Sequence, residues 1–134
     1  MALYHLVSHL ISTARSVAED GNLSLRDRLL AVFEAVHGSA FQSASREHAF
    51  ELLQSAQSAD GALLVQLDRD LMGIVAALLA EAGAADRWKK AGVTVAALSE
   101  QLLMSAKGIK ASVDTLTAYR KKMRTAIRIA TRRP

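Results

Sequence analysis

The 134 residues contain no cysteine, which excludes disulfides, thiolate catalysis and cysteine-ligated zinc or iron–sulfur centres. The only proline is Pro134, so nothing inside the chain interrupts a helix. The aromatic residues are Tyr4, Phe33, Phe41, Phe50, Trp88 and Tyr119. The three Phe fall where a core is expected, leaving Tyr119 and Trp88 as rings that could stack on bases. The longest apolar run, Leu71 to Ala80, is about half the ~20 residues needed to cross a bilayer. The opening MALYHLVSHL has no Lys or Arg before its apolar residues and does not read as a signal peptide. A soluble, cytoplasmic chain that needs no membrane is the expectation.

Catalytic patterns are missing as well. There is no G-x-S-x-G, no P-loop and no G-x-G-x-x-G, and so no nucleophile elbow or phosphate cradle. His5 and His9 share a helical face but have no third ligand to close a metal site. Glu34-Ala-Val-His37 is a single ExxH, whereas di-iron bundles use that pattern twice with two further glutamates. Asp68 and Asp70 are two apart and point to different faces of a helix. No constellation converges. The expectation is a protein that is not an enzyme, with no cofactor, no metal and no small-molecule substrate.

What is present favours helix. Hydrophobic residues make up 51% and charged residues 22%, which fits one folded domain rather than a disordered chain. Ala is frequent and β-branched residues are scattered. The expected fold is an all-α, single-domain bundle of five to six helices over residues 1–134, with a long basic C-terminal helix. Leu3, Leu6, Leu10, Ala14 and Val17 make the face of a first helix over Ala2 to Glu19, widened by Val7 and Ile11. Ser24 caps a second, with Asp27 as partner in a capping box; it carries Leu25, Leu29, Val32, Phe33 and Val36 and stops at His37-Gly38. A link from Ser39 to Ser45 precedes a short third helix around Phe50. Asp60 is placed to cap a fourth, Gly61 to Ala82, which is apolar almost all round near its end and is expected at the centre. Residues 86–92 read as either helix or loop. Thr94 caps a fifth helix that runs through Met104.

Charge is unevenly distributed. Residues 1–100 hold 8 Lys/Arg against 12 Asp/Glu, and residues 101–134 hold 9 against 1. Seven of those nine lie after Tyr119, with no acidic side chain beyond it. From Ile109 onward Ile109, Val113, Leu116, Met123, Ile127 and Ala130 share one side of a helix, broken only by Arg120. Lys121, Arg124, Arg128 and Arg132 form a stripe on the other side. Like charges in file repel, and a phosphate backbone is the commonest relief. A solvated basic end, favoured by the helix dipole, is the competing reading, but the dipole acts only over the last turn. The expected contacts to nucleic acid are Lys107, Lys110, Arg120, Lys121, Lys122, Arg124, Arg128, Arg132 and Arg133, with Lys89 and Lys90. Few rings stand among them, so binding should be to phosphates and blind to sequence.

Two resemblances follow from these residues. Val93 to Leu116, VTVAALSEQLLMSAKGIKASVDTL, resembles a helix-turn-helix, with Ser105-Ala106-Lys107 opening the second helix. Leu103 stands where that family usually has Gly for its turn. The resemblance implies Lys107, Lys110 and Ser112 at base edges; an ordinary helix–helix corner near Gly108 is the alternative. The chain as a whole, short, helical, cysteine-free and basic on one face, resembles the small helical subunits of CRISPR–Cas effector complexes. That resemblance implies a non-catalytic role in a ribonucleoprotein, holding RNA or single-stranded DNA through Arg120, Lys121, Lys122, Arg124 and Arg128 and touching other copies of itself and larger protein subunits through apolar edges. A helical interaction module with no nucleic-acid role remains the other reading.

Overall fold

A computed structural model describes residues 2–41 and 61–132. Over these the chain folds as α1 (Ala2–Ala18), α2 (Leu25–His37), α3 (Ala62–Glu81), α4 (Ala84–Trp88), α5 (Val95–Ser112) and α6 (Leu116–Thr131). Short 3-10 turns cover Gly38–Phe41 and Lys89–Ala91. No strand occurs among the described residues, and the all-α bundle is as expected. The helix expected around Phe50, and the cap expected at Asp60, lie outside the described residues.

Local signals set most of the boundaries. Ser24 Oγ accepts from the Asp27 amide at 3.1 Å, Thr94 Oγ1 from Ala97 at 3.1 Å, and Thr115 Oγ1 from Ala118 at 3.1 Å. Each satisfies one of the amides that a helix start leaves unpaired. Gly83 and Gly92 sit at φ +78° and +73°, a backbone conformation that favours glycine, and they bracket α4 and its 3-10 extension. Residues 86–92 are therefore mostly helical.

The five long helices close a ring in the order α1, α2, α6, α5, α3 and back to α1, with α2 also touching α3 across it. One core fills the ring, built from Phe33 and Leu29 of α2, Leu71 and Leu79 of α3, Leu102 of α5, and Tyr119 and Met123 of α6. α3 packs against α1, α2, α4 and α5, but it is not buried all round. Val65, Arg69, Gly73, Ala77 and Ala80 are exposed along its outer side, where the last three have little side-chain area to bury. α1 turns its Val7–Ile11–Ala14 line inward and leaves Leu6 and Leu10 half-buried.

The largest departure lies at residues 93–116. α5 is one uninterrupted helix to Ser112. It does not stop at Met104, and there is no turn at Leu103, whose side chain is buried in the core. The helix-turn-helix expectation is thereby overturned; with Leu rather than glycine at 103 and strong helix formers around it, Gln101 to Ala106 continues as helix. The break comes later, at Val113-Asp114-Thr115. Val113 is extended at φ −117°, ψ 155°, and Ser112 Oγ bonds the Ile109 carbonyl. Ser, Asp and Thr compete with the helix for its own backbone groups. The expected seam of Ile109, Val113, Leu116, Met123, Ile127 and Ala130 does face inward, but it is shared by two helices.

The end of α6 is held from outside. Arg26 of α2 donates Nε to Thr131 Oγ1 at 2.8 Å, Arg87 of α4 donates to the Thr131 carbonyl, and Trp88 donates Nε1 to the Ala130 carbonyl at 2.9 Å. Arg87 and Trp88, with a longer 3.5 Å contact from the Arg26 guanidinium to the Thr131 carbonyl, serve the carbonyls that a helix C-terminus leaves open.

Candidate nucleic-acid interface

Two of the cations expected to bind nucleic acid, Arg120 and Lys107, are paired with the acidic part of the chain. Arg120, the one polar residue of the apolar seam, donates Nε to Glu34 Oε1 at 3.0 Å and makes an ion pair with the same carboxylate. Lys107 pairs with Asp68, and Arg28, in turn, reaches Glu81 at 3.3 Å. Arg120 is thus a cross-link between α2 and α6 rather than a free phosphate ligand.

A second group is the outer face of α6. Lys121, Lys122, Arg124, Arg128 and Arg132 are all exposed. Among the described residues none has an acidic side chain within ion-pair distance. With a rise of about 1.5 Å per residue, Lys121 to Arg132 spans roughly 16 Å of helix. Lys90 joins this end, because it lines the same hollow as Arg132, Arg87 and Trp88. Lys89 is exposed on the adjoining turn, and Arg133 lies outside the described residues.

Lys107 and Lys110 belong elsewhere. Both line a cavity with His37 and Asp68, so the base-edge role implied by a helix-turn-helix has no geometry behind it. Tyr119 cannot stack on a base either: it is fully buried, and its hydroxyl lies 2.9 Å from His37 Nδ1. Its neighbours are the rings of His37 and Phe41. Burial, and then the charge of Glu34, pushes its hydroxyl well above the ordinary phenol range. Trp88 is half-buried with its indole N–H engaged.

The ExxH pair is separated by these contacts, with Glu34 on Arg120 and His37 on Tyr119. Nothing in the sequence announced the His37–Tyr119 bond. A polar residue in the seam of α6 was a signal for the Glu34–Arg120 pair, since a charge at a buried register needs a partner. Asp68 and Asp70 do diverge, toward Lys107 and Gln66. No group of three His, Cys, Asp or Glu among the described residues could hold a metal ion. No described helix is long and apolar enough to cross a membrane.

His37 makes stability depend on pH. Its pKa is lowered to about 3, first by burial and then by Lys110 and Lys107. The folded protein therefore keeps it neutral, while the unfolded chain protonates near pH 6.5. The stabilisation is complete above pH 6.5 and is lost as pH falls toward 3. Between pH 6.5 and 5, above the titration of ordinary carboxylates, stability should drop by on the order of 1–2 kcal/mol. Urea melts at the two pH values should show that fall in the wild type and a much smaller one in His37→Gln.

No family model, no curated protein and no solved structure matches the chain.

Proposed function

We propose that this chain is a non-catalytic, nucleic-acid-binding subunit, holding a phosphate backbone along the outer face of α6 without reading its sequence. One observation carries the reading: Lys121, Arg124, Arg128 and Arg132 stand exposed in one row, with Lys122 on its flank, and none of them is ion-paired among the described residues, although the same bundle pairs Arg120, Lys107 and Arg28. An external polyanion would supply the missing charge. The row is one helix long, which suits a few consecutive phosphates, and without an exposed ring on α6 beside it the contacts go to backbone. Membership of a larger ribonucleoprotein, as in the small CRISPR–Cas subunits, is the setting in which so short a footprint would gain by repetition.

Anisotropy titrations of labelled RNA and DNA oligonucleotides at increasing salt test it. With three or four phosphates neutralised, log K should fall against log salt with a slope of roughly −2 to −4. Affinity should be indifferent to base sequence. A slope of zero, or no binding at low salt, removes the proposal.

One observation favours the second reading, a protein-interaction module. Met104 and Ile129 are 58% and 56% exposed, and Ile129 lines a shallow groove between α5 and α6 with Leu98 and Trp88. Self-association that survives high salt while oligonucleotides fail to bind would select it.

A further inference from the structure

Lys107 and Lys110, absent from the outer row, stand in the wall of a cavity of about 300 Å³ bounded by α1, α2, α3 and α5. Its apolar side includes Leu6 and Leu10 of α1 and Leu64 of α3. All three are half-buried, so two leucines of α1 and one of α3 spend part of their surface on a hollow rather than on the core. Its polar side is cationic. Two ammonium groups share the single carboxylate of Asp68, and that carboxylate is ion-paired with Lys107. Lys110 is also half-buried and has no ion pair of its own among the described residues.

We infer that this cavity is a binding site for a small organic anion with an apolar tail, its carboxylate or phosphate head on Lys110 and Lys107 and its tail against Leu6, Leu10 and Leu64. A partly desolvated ammonium without a counter-ion is costly, and a ligand anion removes that cost. Burial and then the Lys107 charge lower the Lys110 pKa, against the pull of Asp68. His37 also lines the cavity; in the tautomer whose Nδ1 accepts from the Tyr119 hydroxyl, the neutral ring carries its proton on the other nitrogen and can donate. At about 30 Å³ for each water-sized atom, the space takes on the order of ten non-hydrogen atoms. A medium-chain acid such as octanoate has that size; a membrane lipid does not. The mixture of apolar walls and a few convergent polar groups is that of a small-molecule site. This inference does not rest on nucleic-acid binding, because its residues lie off the row on α6.

Titration calorimetry on the whole chain tests it, with octanoate and octyl phosphate against octylamine and octanol. The anions should bind with one-to-one saturation, and the amine and alcohol about tenfold more weakly or worse. Lys110→Met keeps the aliphatic stem and should weaken octanoate by about tenfold to a hundredfold, with circular dichroism and melting temperature showing an intact fold. Leu10→Trp, filling the hollow, should abolish binding by a second route. Oligonucleotide affinity should stay at the wild-type level in Lys110→Met, which separates this site from the row. Equal affinity of octylamine and octanoate, or of wild type and folded Lys110→Met, overturns the inference. So does the absence of saturable heat with either anion, as if the chain itself filled the cavity.

Discussion

Arg124→Glu combined with Arg128→Glu should reduce oligonucleotide affinity by about a hundredfold or more, since each change removes a charged contact worth about 1.5–3 kcal/mol and adds a repulsion. The fold should be untouched. Both side chains are exposed and neither has an ion pair among the described residues, so no internal bond is broken, and charge reversal even relieves crowding along the helix. Circular dichroism and melting temperature should therefore match wild type while binding is lost. The informative control is Arg120→Met, which lies on the same helix but is tied to Glu34. It should alter stability with little effect on binding. Reversed behaviour, with binding sensitive to Arg120 and indifferent to Arg124 and Arg128, would place the interface on another face.

Tyr119→Ala should remove a large share of the protein's stability. Truncating a buried aromatic costs about 3–5 kcal/mol, against a total of roughly 5–15 kcal/mol for a domain. Tyr119 is the largest fully buried side chain among the described residues, and it joins α6 to His37 at the end of α2. Tyr119→Phe keeps the ring and leaves a buried imidazole nitrogen without its partner, at about 1–3 kcal/mol. Urea unfolding followed by circular dichroism should rank the three proteins in that order. A Phe variant as stable as wild type would show that packing alone holds this junction. Oligonucleotide affinity of the folded Phe variant should be unchanged, because the ring never reaches solvent.

Periodicity and capping made most of the helices legible. Ser24, Thr94 and Gly83 act locally, so short stretches of sequence are enough to place them. The end of α5 was not legible in the same way. The seam from Ile109 to Ala130 keeps its phase across Val113-Asp114-Thr115, and phase alone cannot reveal that the axis turns there. The inward line of α1 was misplaced for a related reason: Leu6 and Leu10 are more hydrophobic than Val7 and Ala14, yet what decides the rotation is the shape of the neighbouring helices. Long-range pairing was the least visible. Glu34 and Arg120 are 86 residues apart, and so are only joined once α2 and α6 are known to be neighbours in the ring. Exposure of Lys121, Arg124 and Arg128 was readable, since it follows from which side of α6 carries Met123 and Ile127.

The three donors at the end of α6 also govern its azimuth. Carbonyls at a helix terminus attract whatever cation is nearest, and on this helix Arg128 and Arg132 are close at hand. Arg87 and Trp88 already occupy those acceptors, and Arg26 the Thr131 hydroxyl beside them, so the helix's own guanidinium groups are spared from folding back onto it. Because the anchors come from α2 and α4, any rolling of α6 about its long axis would break bonds to both. The bearing of its charged side is thus fixed by the rest of the bundle, and it stays the same whether or not anything lies against it.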